Sequence, residues 1–184
     1  MRSANRAARV AEQSLLAGLR PLLVPSRLSD ETQKVHFVDG RVLVTPGGGG
    51  AAEIGDDAIY LTLSLRNAGS GIAVLHGWHF SAERLRAVPE APSLDTFTRQ
   101  TRDLYIAPND VGFWQGALRD PSEPEFEAAR AAIDARRPVT IDVLYGDYEG
   151  GQRIISRFAF WPRDDGRWIS GIARHWNLDR SEPR

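Results

Sequence analysis

The spacing of apolar positions changes along the chain. Over residues 3–19 the small and apolar side chains Ala4, Ala8, Ala11, Leu15 and Leu19 recur three or four apart. That spacing predicts a helix with one narrow apolar stripe. Pro21 ends it, because a residue before proline avoids the helical region. After Pro25 the period falls to two. Residues 35–38 and 41–45 flank Asp39-Gly40, a pair that predicts a hairpin closed by a type I′ turn. Residues 58–66 alternate, with Ile59, Leu61, Leu63 and Leu65 on one side and Tyr60, Thr62, Ser64 and Arg66 on the other. The expectation is a strand with its leucine side buried and its other side more exposed.

Further strands are expected over residues 72–80, 99–106, 139–145, 152–161 and 167–176. Residues 81–98, rich in proline and charge, read as a long loop, and the glycines at 47–50 as a flexible tip. One helix interrupts this series. Ser122 with Glu125 forms a capping-box pattern, Pro124 suits a first turn, and the helix should run to about Arg136, ahead of Pro138. The prediction is a mainly β chain: an antiparallel β-sandwich over residues 21–178, with one inserted helix, behind an N-terminal helical arm at residues 1–20. A barrel is the alternative.

Composition narrows the function. The chain has 184 residues and no cysteine, so disulfides, zinc–thiolate centres and cysteine nucleophiles are excluded, and a cytoplasmic setting is expected. A net charge of −1 supplies no global positive field to hold nucleic acid. Lys34 is the one lysine among 23 basic residues, a bias that fits GC-rich coding. Arg2, Arg6 and Arg9 resemble the start of a signal peptide, but Glu12, Gln13 and Arg20 break the apolar run that should follow. No stretch approaches the roughly 20 apolar residues of a membrane span.

The run Leu63-Ser64-Leu65-Arg66-Asn67-Ala68-Gly69-Ser70-Gly71-Ile72-Ala73 resembles the strand–N-x-G-x-G–strand corner of immunoglobulin-like bacterial sandwiches. The wider chain is similar to uncharacterised actinobacterial proteins that carry such a domain after an Arg/Ala-rich helix. The resemblance implies an immunoglobulin-like β-sandwich and proximity to the inner face of a membrane, and it carries no known chemistry.

Candidate chemistry is sparse. His76 and His79 form H-x-x-H, and with His175 they are the weak metal candidates. On a regular strand His76 sides with Val74 and Trp78, and His79 with Ala73 and Leu75, so one metal could take both only if Gly77 makes a bulge. Asp142, Asp147 and Glu149 surround a glycine-rich segment; ordinary turn chemistry is favoured over calcium. Phe113 and Trp114 lie between glycines in a non-periodic segment that either plugs the domain or meets a partner. Arg153 and Arg157 share one face of their strand; Trp168, Ile172, Arg174 and Trp176 share a face of the next. If these faces coincide, arginines interleave with tryptophans, as a structural cation–π ladder or as a platform for anions or single strands.

The leading reading is therefore a non-catalytic interaction or ligand-binding domain, with Phe113, Trp114, Arg153, Arg157, Arg174 and Trp176 as contact candidates. No cofactor is expected, and the partner is a protein or small ligand. Self-association through residues 3–19 follows from the alanine stripe. The alternatives are a metal-assisted hydrolase using histidines and carboxylates, and a nucleic-acid binder using the Arg/Trp face.

Overall fold

The computed structural model describes residues 2–82 and 90–179. Helix α1 spans Arg2–Gly18, and the chain then enters β1 at Leu23–Pro25. Strands β2 (Gln33–His36) and β3 (Val42–Thr45) form a separate antiparallel hairpin. The main sheet is built from β1, β4 (Gly49–Ile54), β5 (Ile59–Asn67), β6 (Ala73–Ser81), β7 (Thr98–Arg99), β8 (Tyr105–Ile106), β9 (Val111–Leu118), β10 (Val139–Gly146), β11 (Arg153–Pro162) and β12 (Trp168–Asn177), with α2 at Pro124–Asp134. The protein is mainly antiparallel β, as its alternating pattern requires.

Across the sheet the order runs β9, β5, β4, β12, β11, β10, β6. Strand β1 continues along β5 beyond β4, and β7 and β8 share the far edge of β6. The sheet curls until its two ends meet. Trp78 of β6 packs edge-on against Trp114 of β9 at 5.4 Å, and the Gln100 side chain donates 3.2 Å to the Gln115 carbonyl of β9. Inside lie Leu61, Leu63, Trp78, Trp114, Val143, Phe158 and Phe160, closed by Phe126, Ala129 and Ala132 of α2.

Several expectations are corrected. The Asp39-Gly40 hairpin forms, but only Gly40 has a positive φ (86°). The Gly40 N–H bonds Phe37 O, and the Phe37 N–H bonds Arg41 O, which is a three-residue loop ending in a left-handed glycine rather than a type I′ turn. Of the glycines expected as a flexible tip, Gly47 and Gly48 form a turn and Gly49 and Gly50 begin β4. Gly49 and Gly50 face Trp168 and Ile169 of β12, and a Cβ at either would strike a backbone carbonyl of a neighbouring strand. Their lack of side chains joins the two halves of the sheet. The expected strand at 99–106 is two short pieces, β7 and β8. The expected loop at 81–98 lies partly outside the described residues; its end holds a short 3₁₀ turn, Leu94–Thr96. The capping box does not form. Glu123 is the N-cap of α2, while the Ser122 hydroxyl bonds Asp120. Arg136, at φ 48°, closes α2: Arg136 N–H bonds Ile133 O and Arg137 N–H bonds Ala132 O.

The alternation in β5 does not appear as alternating exposure. Every residue from Ile59 to Leu65 is buried, and Arg66 alone in this strand is half-buried. The β2–β3 hairpin covers the second face with Val35, Phe37 and Leu43 around Tyr60. Short hydroxyl pairs complete that cover, Thr45–Thr62 and Ser26–Ser64, each 2.7 Å. Strand β5 is thus central in two packing layers, and its polar side is matched to polar partners rather than to water.

The corner after β5 organises the entry of the chain. Asn67 is fully buried, and its side chain makes four hydrogen bonds. Its Oδ1 accepts from the N–H groups of Leu22 and Gly69, and its Nδ2 donates to the carbonyls of Gly71 and Ile106. That is the full capacity of an asparagine amide. A Cβ at Gly69 or Gly71 would collide with the backbone of residues 19–22, so the glycines of this corner make room for the segment from α1 to β1. Replacing Asn67 with leucine should lower unfolding free energy by about 3 kcal/mol, because four buried backbone groups lose their partner. Urea denaturation measures it.

Candidate functional site

Four strands place one row of charged side chains on the outer face of the sheet. In register, His79 of β6 faces Asp142 of β10, Asp142 faces Arg157 of β11, and Arg157 faces Arg174 of β12. Asp142 is fully buried and binds Arg157 in a bidentate pair, both contacts 2.7 Å. That hydrogen bond, ahead of the opposing effect of burial, holds the Arg157 pKa above its ordinary value. His79 Nδ1 lies 3.6 Å from the same carboxylate. The guanidinium carbons of Arg157 and Arg174 lie 5.0 and 5.4 Å from the Trp176 ring.

The row depends on two bulges. In β12 the register shifts between Arg157 and Phe158, so Ala173 is the extra residue. Trp168 therefore turns inward, where it stacks on Phe160 at 4.7 Å, Ile172 beside the bulge is exposed, and Arg174 and Trp176 share the outer face. The single face expected for Trp168, Ile172, Arg174 and Trp176 is corrected: only its second half interleaves with arginine. In β6 a shift beside Leu144 makes His76 the extra residue, next to Gly77. Leu75 and Trp78 both enter the core, and His79 turns to Asp142 instead of siding with Ala73 and Leu75. His76 is exposed. Desolvation by the bulge, then the Arg153 charge, push its pKa below the ordinary imidazole value against the pull of Asp147.

His175 lies on the opposite face. Its Nδ1 is 2.6 Å from Ser156 Oγ, which is 2.8 Å from the Tyr145 hydroxyl, which accepts the Leu23 N–H at 3.1 Å. This chain ties β1 to β10, β11 and β12 across the inside of the sheet. Ser156 is fully enclosed, with both neighbours already bonded to its hydroxyl, so it presents no nucleophile to solvent. Burial pushes the Tyr145 hydroxyl up to about 12, opposed by its bonds to Ser156 and Leu23. Among the described residues no three of His, Asp and Glu converge on a point where a metal ion would sit.

The remaining candidates separate. Trp114 is wholly inside the core, and Phe113 lies between the two hydrophobic clusters. Their segment is the regular strand β9 and not the non-periodic stretch expected. Trp176 is 2% exposed. Arg153 opens β11 at the surface, and its N–H points to Asp179 at 3.4 Å. Asp147 accepts the Gly151 and Gln152 N–H groups, which is turn chemistry.

Sequence reasoning missed how firmly the helical arm is rooted. The Gln152 amide donates 2.6 Å to Leu16 O near the end of α1, and Arg20 binds Asn177 and Asp179 at 2.7 and 2.6 Å. The Arg20 carbonyl also accepts the Ser70 N–H. Above this root α1 is bare, with Val10 55% and Leu15 65% exposed. No helix of the described residues is long and apolar enough to cross a membrane.

No family model matches the chain, and no curated protein or solved structure does.

Two measurements follow. Asp142→Leu should cost about 3–5 kcal/mol, because it leaves Arg157 charged without its carboxylate, and the double variant Asp142→Leu/Arg157→Met should recover most of that loss in a denaturation cycle. Tyr145 is raised in the folded state, so its contribution is intact below pH 10 and is lost as pH rises toward 12. Tyr145→Phe should flatten the alkaline fall in melting temperature between about pH 10 and pH 12. Tyr60, raised by its bond to Asp39, retains a share of that fall.

Proposed function

We propose that the chain is a non-catalytic interaction domain of the immunoglobulin-like β-sandwich type, and that α1 is its contact element. The observation that carries this is the contrast along the arm. Gln152 holds the last turn of α1, and Asn67 and the end of β12 hold Leu22 and Arg20 just after it, while the stripe through Ala8, Ala11 and Leu15 faces solvent. An isolated helix of 17 residues is only marginally stable in water, so a stripe held clear of its own domain gains from a second helix. Alanine side chains allow that helix to approach closely. The partner in this reading is a second copy of the chain.

The sandwich type is supported by the way Trp78 of β6 meets Trp114 of β9 from the two ends of the curled sheet. The non-catalytic reading is supported by positive commitments of the reactive groups: Asp142 to Arg157, and Ser156 to His175 and Tyr145. A cytoplasmic place at the inner face of a membrane belongs to the same proposal. There Arg6 and Arg9 would face anionic headgroups.

The double variant Ala8→Glu/Ala11→Glu tests the assembly. Light scattering should show the native chain as a dimer and the variant as a monomer. The melting temperature should change by no more than about 2 °C, as for surface substitutions. A native chain that stays monomeric at high concentration, or a variant that stays dimeric, would sink the proposal.

A further inference from the structure

A pocket of about 450 Å3 opens beside the start of β12. Three segments line it: Ser26 and Leu28 after β1, Gly48 before β4, and Arg163, Arg167 and Ile169 around the β11–β12 turn. The helical arm is rooted at the opposite end of β12, where Arg20 binds Asn177. The two features are therefore separated by the length of a ten-residue strand.

The inner part of this lining offers a ligand little but hydrocarbon. Gly48 is buried at φ 69°, and a Cβ there would lie 2.7 Å from Leu28 Cδ2. The Ser26 hydroxyl is spent, donating to Ser64 Oγ at 2.7 Å and accepting the Gly48 N–H at 2.9 Å. The Ser170 hydroxyl has essentially no accessible surface. What remains is the half-buried Ile169 and Leu28, which is 80% exposed. The outer part carries charge, for Arg163 and Arg167 are both exposed. Arg167 is already bound to Asp165 at 2.6 and 2.8 Å. Arg163 forms no ion pair among the described residues, and Arg136 brings a further guanidinium to the Arg163 carbonyl. Asp164, the other acid of the turn, does not line the pocket. The chemistry is an apolar wall inside and an uncommitted cation at the mouth.

We propose that this pocket binds a free monocarboxylate with an apolar body, independently of the association through α1. The hydrocarbon lies along Leu28 and Ile169, and the carboxylate meets Arg163. Small-molecule sites are commonly of this build, mostly apolar with a few polar groups that fix orientation, and span roughly 300–1,000 Å3. Neither part of the ligand suffices alone. A bare carboxylate leaves the apolar wall wet, and an exposed arginine holds it weakly against water. An apolar amine brings a like charge to Arg163.

The test uses the full chain and three probes, octanoate, acetate and octylamine, titrated by calorimetry and located by amide NMR shifts. Octanoate should bind one-to-one and saturably, moving the amide signals of Leu28, Gly48 and Ile169. Acetate, which keeps the charge without the tail, and octylamine, which keeps the tail with the opposite charge, should bind at least about tenfold more weakly. Arg163→Gln removes the cation, and Leu28→Glu puts a like charge on the apolar wall. Each should weaken octanoate binding about tenfold or more. Both positions are exposed, so the melting temperature should stay within about 2 °C and the light-scattering mass should not change. Absence of saturable octanoate binding up to about 50 mM would overturn the proposal. So would acetate or octylamine binding as tightly as octanoate, or unchanged affinity in either variant. Sedimentation with phosphatidylglycerol vesicles that Arg163→Gln abolishes, without octanoate binding, would make this face a membrane contact instead.

Discussion

The amide of Asn67 is the junction on which this fold depends. It lies at the end of the most enclosed strand, away from water, and its four hydrogen bonds reach the start of β1, its own turn, and the end of β8. Its main chain adds two more, from Asn67 N–H to Asp110 O and from Asn109 N–H to Asn67 O, which set the start of β9. An asparagine in such a place has no tolerance for partial pairing, because each unmatched group would cost more than each bond gains. Three segments distant in sequence must therefore arrive together. The glycines at 69 and 71 are part of the same constraint, since they let the backbone of residues 19–22 lie directly on the corner.

From that junction the two-layer burial of β5 follows. With β1 and β4 on one edge and β9 on the other, β5 is a central strand. The hairpin of β2 and β3 then closes over its second face. Hydroxyl pairs take the place that water would hold on a one-sided sheet, and the Tyr60 hydroxyl reaches Asp39 in the hairpin turn at 2.7 Å. That bond, with Arg119 and the Arg41 N–H, brings the Asp39 carboxyl down to about 2, so the hairpin tip and the sheet stay joined well below neutral pH. The same junction roots the helical arm, because the carbonyl of Arg20 and the N–H of Leu22 are bonded at the corner.

The outer face is decided by single extra residues. At His76 the bulge lets Leu75 and Trp78 both enter the core and turns His79 toward Asp142. At Ala173 the bulge sends Trp168 inward and Trp176 outward. Between them Asp142, Arg157 and Trp176 form a packed ladder in which charge is neutralised within the protein.

The sequence by itself determined the β-rich class, the two helices and most strand positions. These are local properties: period-two alternation at 59–66 and 153–161, proline at 21 and 138, and glycine turns at 40 and 71 act within a few residues. It left the interleaving of Arg157 and Arg174 with Trp176 open, because the register of the last hairpin and the bulge at Ala173 decide it. Tertiary structure alone decided the rest. Whether Thr62 and Ser64 meet water or other hydroxyls depends on Thr45 of the hairpin and Ser26 beside β1, 17 and 38 residues earlier in the chain. The glycines at 49 and 50 read as loop until the carbonyls of two neighbouring strands exclude any side chain there. A bulge moves every later side chain to the other face, yet it is one residue long and has no period to detect. The placement of His79, His175 and Trp168 had to come from long-range pairing.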